Sequence, residues 1–231
     1  MKNLFLALLF QSLAFGSDLQ DLHLIGTARL KSGDIFYIES HDFDWVKGQL
    51  VRTKTTYKNN LGKSIATLDS DFSSSPYLPD SVFKDFRDQY EYKITVDVQN
   101  KKVIMAHRDS EKENWVEKKI PLENNMMIMQ GAIFYIKDHF EDLKNHKKLI
   151  VTFAIPSRLD TAEIAIEAEP SLQKEKLLVY IKPNSRFLRL LLSETQLTFD
   201  ATTKRLLEFR GTSNLLDEKD KSQDVVIDYK N

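Results

Sequence analysis

The stretch that decides the fold is Leu149-Ile150-Val151-Thr152-Phe153-Ala154-Ile155, followed by Pro156-Ser157-Arg158-Leu159-Asp160 and then by Ala162-Glu163-Ile164-Ala165-Ile166-Glu167-Ala168. Six of the first seven residues are apolar, the pattern of an element covered on both faces. Val151, Thr152, Phe153 and Ile155 are β-branched or aromatic, which favours a strand over a buried helical segment. Pro156 cannot donate to a ladder and ends the run. From 162 to 168 every even position is apolar, and Glu163 and Glu167 fall on the other side. That alternation gives a strand with one core face and one solvent face. If this second strand begins early, Arg158 and Asp160 share a face. They then form either a surface charge pair at the turn or a pair turned towards a ligand.

The same grammar extends outwards. Thr27–Lys31, Ile35–Ile38, Asp42–Trp45, Leu50–Tyr57 and Ser64–Leu68 read as strands, with turns at Ser32-Gly33-Asp34, Lys47-Gly48 and Asn59-Asn60-Leu61-Gly62. On Leu50–Tyr57, Val51, Thr53, Thr55 and Tyr57 share one face. Asp71–Pro79 is a loop by composition. Val82, Phe83, Phe86 and Tyr90 recur at helical spacing behind a capping Asp80 or Ser81, which predicts a short helix near 80–90. Tyr92–Val98, Lys102–Ala106 and Trp115–Lys119 resume the meander. A second helix is predicted over 125–146, capped by Asn124 or Asn125, with Met129, Ala132, Ile133, Ile136, Phe140 and Leu143 as its apolar stripe. Gly131 weakens its first turn, and Met126–Met129 also fits strand or loop. Beyond the central hairpin, Leu177–Ile181, Gln196–Phe199, Leu206–Phe209 and Val225–Tyr229 read as strands. Phe187–Leu192 fits either class, Gly211-Thr212-Ser213-Asn214 reads as a turn, and Leu216–Asp224 as a charged loop. The fold class is mainly β: an antiparallel curved sheet or partial barrel with one or two amphipathic helices.

The 231 residues suffice for one large β domain, and no repeat or linker divides them. The absence of Cys excludes disulfides, zinc–thiolate sites, thiol catalysis and a lipidated N-terminal cysteine. Residues 1–16 read as a secretory signal peptide: cationic Met1-Lys2-Asn3, apolar Leu4–Phe10, and Ala14 and Gly16 as small residues before Ser17. Residues 17–231 then form a single β domain, exported and placed in the periplasm of a Gram-negative cell. Of 33 Lys plus Arg and 34 Asp plus Glu, the leader takes Lys2, leaving a net charge of −2. That balance gives no support for nucleic-acid binding. No stretch reaches the ~18 apolar residues of a membrane span.

No catalytic motif stands out: no Gly-x-Ser-x-Gly, P-loop, dinucleotide fingerprint or His-Glu-x-x-His. His139 and His146 lie seven apart, about 10 Å along a helix, which does not suit one metal ion. Asp69-Ser70-Asp71 lacks the glycine and distal glutamate of a calcium loop. No metal and no cofactor is expected. Fourteen Phe and eight Tyr supply either a filled core or the apolar surface of a ligand cavity under a helical lid.

The segments Phe153–Asp160 and Arg205–Asn214 resemble a group of uncharacterised exported β-rich proteins of Gram-negative bacteria. The leader, meander and lidding helices are more distantly similar to the LolA-like periplasmic lipoprotein carriers, whose half-barrel holds acyl chains. That resemblance is architectural, and it implies an envelope role and an apolar ligand by analogy. The two turns carrying the first resemblance supply the candidate ligand-binding residues Arg158, Asp160, Arg210 and Asn214, where an arginine can meet a carboxylate or phosphate head group. The leading expectation is an exported, non-enzymatic binding protein for a lipid or other apolar envelope component. The alternatives are an envelope scaffold with a filled core and a protein partner, or a hydrolase whose site is assembled only in three dimensions.

Overall fold

The protein was analysed as a computed structural model, which describes residues 23–128, 130–170, 175–185, 194–219 and 221–230. The leader and the ambiguous segment Phe187–Leu192 lie outside the described residues. Eight strands run out in order: β1 (His23–Leu30), β2 (Ile35–Val46), β3 (Gln49–Lys58), β4 (Ser64–Asp71), β5 (Asp80–Asp85), β6 (Glu91–Asp97), β7 (Lys102–Arg108) and β8 (Val116–Pro121). A short β9 (Met126–Ile128) leads into two helices, α1 (Gly131–Asp138) and α2 (Phe140–Lys144). The chain returns through β10 (Leu149–Ile155), β11 (Asp160–Pro170), β12 (Lys176–Pro183), β13 (Thr195–Asp200), β14 (Leu206–Leu216) and β15 (Ser222–Lys230).

All the strands join one sheet in the order β8-β7-β6-β5-β4-β3-β2-β1-β15-β14-β13-β12-β11-β10-β9. Every pairing is antiparallel except β9 with β10. Strand β1 is the hinge of this order, because its two neighbours come from opposite ends of the chain. The sheet is strongly curved, and among the described residues its edge strands β8 and β9 do not pair with each other. Its two arms nevertheless meet: Lys118 on β8 lies 3.5 Å from Asp160 on β11. The 3-10 turn Pro156–Arg158 also packs against β6 and β7. One core cluster accordingly joins Phe83, Ile94 and Met105 to Ala154 and Leu159 across the interior. The other gathers the helices' Ile136, Phe140 and Leu143 against Val151, Ile166 and Phe199 of the returning strands.

The central hairpin forms as its pattern predicts, with Leu149 opposite Ile166 and Ile155 opposite Asp160. Four expectations are corrected. Residues 80–90 hold no helix: β5 pairs with β4 and β6, burying Ser81, Phe83 and Asp85 on one side. The spacing of Phe86 and Tyr90 reflects a turn, with Phe86 half exposed and Gln89 at φ 65°. Asp80 accepts the Val96 N–H at 2.7 Å, serving the end of the β5–β6 ladder and not a helix start.

The second helix is shorter than 125–146 and broken. Met126, Met127 and Ile128 are all buried, a demand that a one-faced helix cannot meet and a strand covered on both sides can. The helix starts at Gly131, where a Cβ would lie 2.2 Å from the Tyr77 carbonyl oxygen. It breaks at His139.

Gly211–Asn214 is not a turn. It continues β14, with Gly211 opposite Val225, and a register shift between Thr212 and Leu216 loosens the strand there. Likewise, the loop expected over 216–224 is shorter: Leu216 ends β14 opposite Ser222, where β15 begins.

Candidate functional site

Strand β2 is twelve residues long, and its odd positions point inwards. Tyr37, Glu39, His41, Phe43 and Trp45 therefore form a stripe along one wall of a chamber of about 400 Å³. Thr53 and Tyr57 of β3 extend that wall. Ile227 and Tyr229 of β15, Phe153 of β10, and Ile133 and Phe134 of α1 complete the lining. The volume falls within the roughly 300–1,000 Å³ of small-molecule sites.

Helix α1 covers this space because the loop after β4 holds it. Phe72 packs edge-on against Phe134 with centroids 5.2 Å apart, and Tyr77 donates to Asp138 Oδ2 at 2.6 Å. A second cavity of about 610 Å³, bordered by Asp85, Asp88, Asp109 and Tyr90, shares Phe153, Ser213 and Asn214 with the first. The first is the candidate site, because its walls are mainly apolar and a buried polar chain runs into it.

That chain starts at Glu39, 4% exposed. The Tyr229 hydroxyl donates to Glu39 Oε1 at 2.7 Å, and His41 Nε2 meets the same oxygen at 3.0 Å. His41 Nδ1 lies 2.8 Å from Thr55 Oγ1. Gln130, at the entry to α1, donates from Nε2 to Thr55 Oγ1 at 2.9 Å and accepts from Thr53 Oγ1 at 2.6 Å. With Gln130 donating to Thr55, the Thr55 proton goes to His41 Nδ1 and the His41 proton to Glu39. The chain thus ties the lid entry to the centre of the sheet.

The sheet explains how these groups meet. Gly26 of β1 stands opposite both Glu39 and Tyr229, which are two strand spacings apart. A Cβ at Gly26 would lie 2.8 Å from Glu39, Ile227 and Tyr229, so only glycine leaves the space across which they bond.

Burial dominates the electrostatics. It pushes the Tyr37, Tyr57 and Tyr229 hydroxyls well above the usual tyrosine value, and the charge of Glu39 adds to each shift. All three stay protonated; Tyr229 donates to Glu39, and Tyr37 accepts from Ser213.

A hydroxyl, a histidine and a carboxylate in sequence also suggest acyl-transfer chemistry. The geometry argues otherwise. Thr55 is 0% exposed, does not line the chamber, and already accepts from Gln130. A nucleophile needs a reacting atom within about 3 Å. The chain here holds the wall together.

The residues singled out from sequence are dispersed. Arg158 is exposed in the 3-10 turn. The left-handed Leu159 (φ 49°) follows it, and Asp160 faces Lys118 instead of Arg158. Arg210 is exposed and donates to Glu208 at 2.6 Å and 3.1 Å. Asn214 alone of the four lines the chamber, where its side chain bonds to buried Tyr57. Glu39, His41 and Tyr229 were missed. The available signal was the alternation Tyr37, Glu39, His41, Phe43, Trp45, unbroken across what reads as a gap between two strands. Among the described residues, no three His, Cys, Asp or Glu side chains are placed to hold a metal ion. No helix among them is long and apolar enough to cross a membrane.

Fold and site together define an open, barrel-like antiparallel β protein with a lidded, mainly apolar chamber. No protein-family model and no curated protein matches the chain. Among solved structures it is similar to a β-barrel-like protein of a domain of unknown function, DUF1849, from Brucella abortus. The identity is 8%, the TM-score 0.45, and the match covers 90% of this chain and 96% of that one.

Proposed function

We propose that this protein is an exported, non-enzymatic binding protein that holds an apolar small molecule, such as a lipid, in the chamber beneath α1. The observation that carries the reading is a space of about 400 Å³ left open between two otherwise packed core clusters. A concave, partly covered space of that size lined by Phe, Tyr, Ile and Leu offers an apolar molecule surface to bury against. The leader-like residues 1–16 support export to the periplasm, and the architectural resemblance to LolA-like carriers points the same way.

The test is native mass spectrometry with lipid extraction on the full-length chain expressed with its own N-terminus and purified from the exported fraction. The expected result is a polypeptide mass beginning at Ser17 with a bound apolar species. An apo mass, with no lipid in the extract, would contradict the reading.

A further inference from the structure

Glu39 differs from the other buried acids of this protein. Among the described residues, three carboxyl groups are buried: Glu39, Asp85 and Glu91. Asp85 is gripped by the guanidinium of Arg87. Glu91 has Arg108 at 3.1 Å and Lys84 at 3.6 Å. Glu39 has no lysine or arginine within ion-pair distance among the described residues; its one basic partner there is His41. Both of its hydrogen bonds fall on Oε1. Oε2 accepts none from a described residue, and the residue lines the chamber. A buried carboxylate is costly unless it is paired, and this one, at the wall of the chamber, is bonded through one oxygen only.

The residues around that carboxylate are aromatic. Tyr37, Tyr57 and Tyr229 feel the charge of Glu39, and Phe43 and Trp45 continue the wall along β2. Electron-rich ring faces around a carboxylate form a site for an organic cation. Resting on the apolar-ligand reading above, we infer that the chamber takes an amphiphilic amine, with its N–H donating to Glu39 Oε2 and its apolar body under α1. Lys137 and Arg205 also line the chamber and would favour an anionic head group, so the test sets the two charges against each other.

The experiment is calorimetric titration of the full mature chain with decylamine, decanol and decanoate at neutral pH, repeated with Glu39→Gln. An ionic hydrogen bond contributes about 1.5–3 kcal/mol, so decylamine should bind about 10- to 100-fold more tightly than decanol. Glu39→Gln should remove that preference, so that decylamine and decanol bind it alike, with the fold of the variant checked by circular dichroism and its thermal transition. Decanol or decanoate binding as tightly as the amine, or an amine preference that persists in Glu39→Gln, would overturn the inference and leave the apolar-ligand reading intact. Failure of all three probes to bind would overturn both.

Discussion

Gly26 is placed on β1 so that a methyl group there would lie 2.8 Å from Glu39, Ile227 and Tyr229 at once. Replacing it with alanine forces those side chains apart, and overpacking of this kind costs about 1–3 kcal/mol. Urea unfolding of Gly26→Ala should show a loss in that range; an unchanged midpoint would mean that the contact relaxes freely. The buried tyrosines supply a pH test. Tyr57 and Tyr92 are buried and Tyr229 is half-buried, and burial raises each hydroxyl well above its ordinary value. A raised folded value gives stability that is present below the unfolded value of about 10 and is lost as pH climbs towards the folded one. In an alkaline titration, part of the tyrosinate absorbance should appear only in step with loss of β-sheet circular dichroism. Complete ionisation of all tyrosines around pH 10 with the sheet intact would contradict the burial.

At the scale of elements, α2 is short but anchors the lid through Phe140, which is 0% exposed and packs edge-on against Phe199 of β13 at 5.9 Å. Phe140→Ala should destabilise by about 3–5 kcal/mol, measured by denaturant unfolding; a loss below 1 kcal/mol would show that the helices are loosely held. Elements were legible where local pattern and tertiary demand agree. The hairpin Leu149–Ala168 is one such case, and the Asn59–Gly62 turn, with Gly62 at φ 79°, is another. Residues 80–90 were misread because Val82, Phe83, Phe86 and Tyr90 mimic a helical face, whereas Phe86 and Gln89 belong to the turn after β5. The break at His139 could not be seen, since the stripe from Ala132 to Leu143 continues across it. The site was hidden for a related reason. Glu39 and His41 look like the polar punctuation between two strands, and only β1 and β15, brought alongside β2 by the sheet order, turn them into a buried network. Asn214 was reached through its segment, although the turn expected there proved to be strand.

Over the whole molecule, one curved sheet brings its own arms together and leaves a chamber between two core clusters, so occupancy of that chamber is the central claim. The protein carries its own reporter. Trp45 lines the chamber, while Trp115 lies outside it, with Lys93 4.3 Å from its ring centroid. A Trp115→Phe variant leaves Trp45 as the only indole. The measurement is titration of that variant with the neutral apolar dye N-phenyl-1-naphthylamine, reading energy transfer from Trp45. A ligand-binding chamber gives saturable transfer at one dye per chain, displaced by an unlabelled decyl amphiphile. Transfer that never saturates, or none at all, would contradict it.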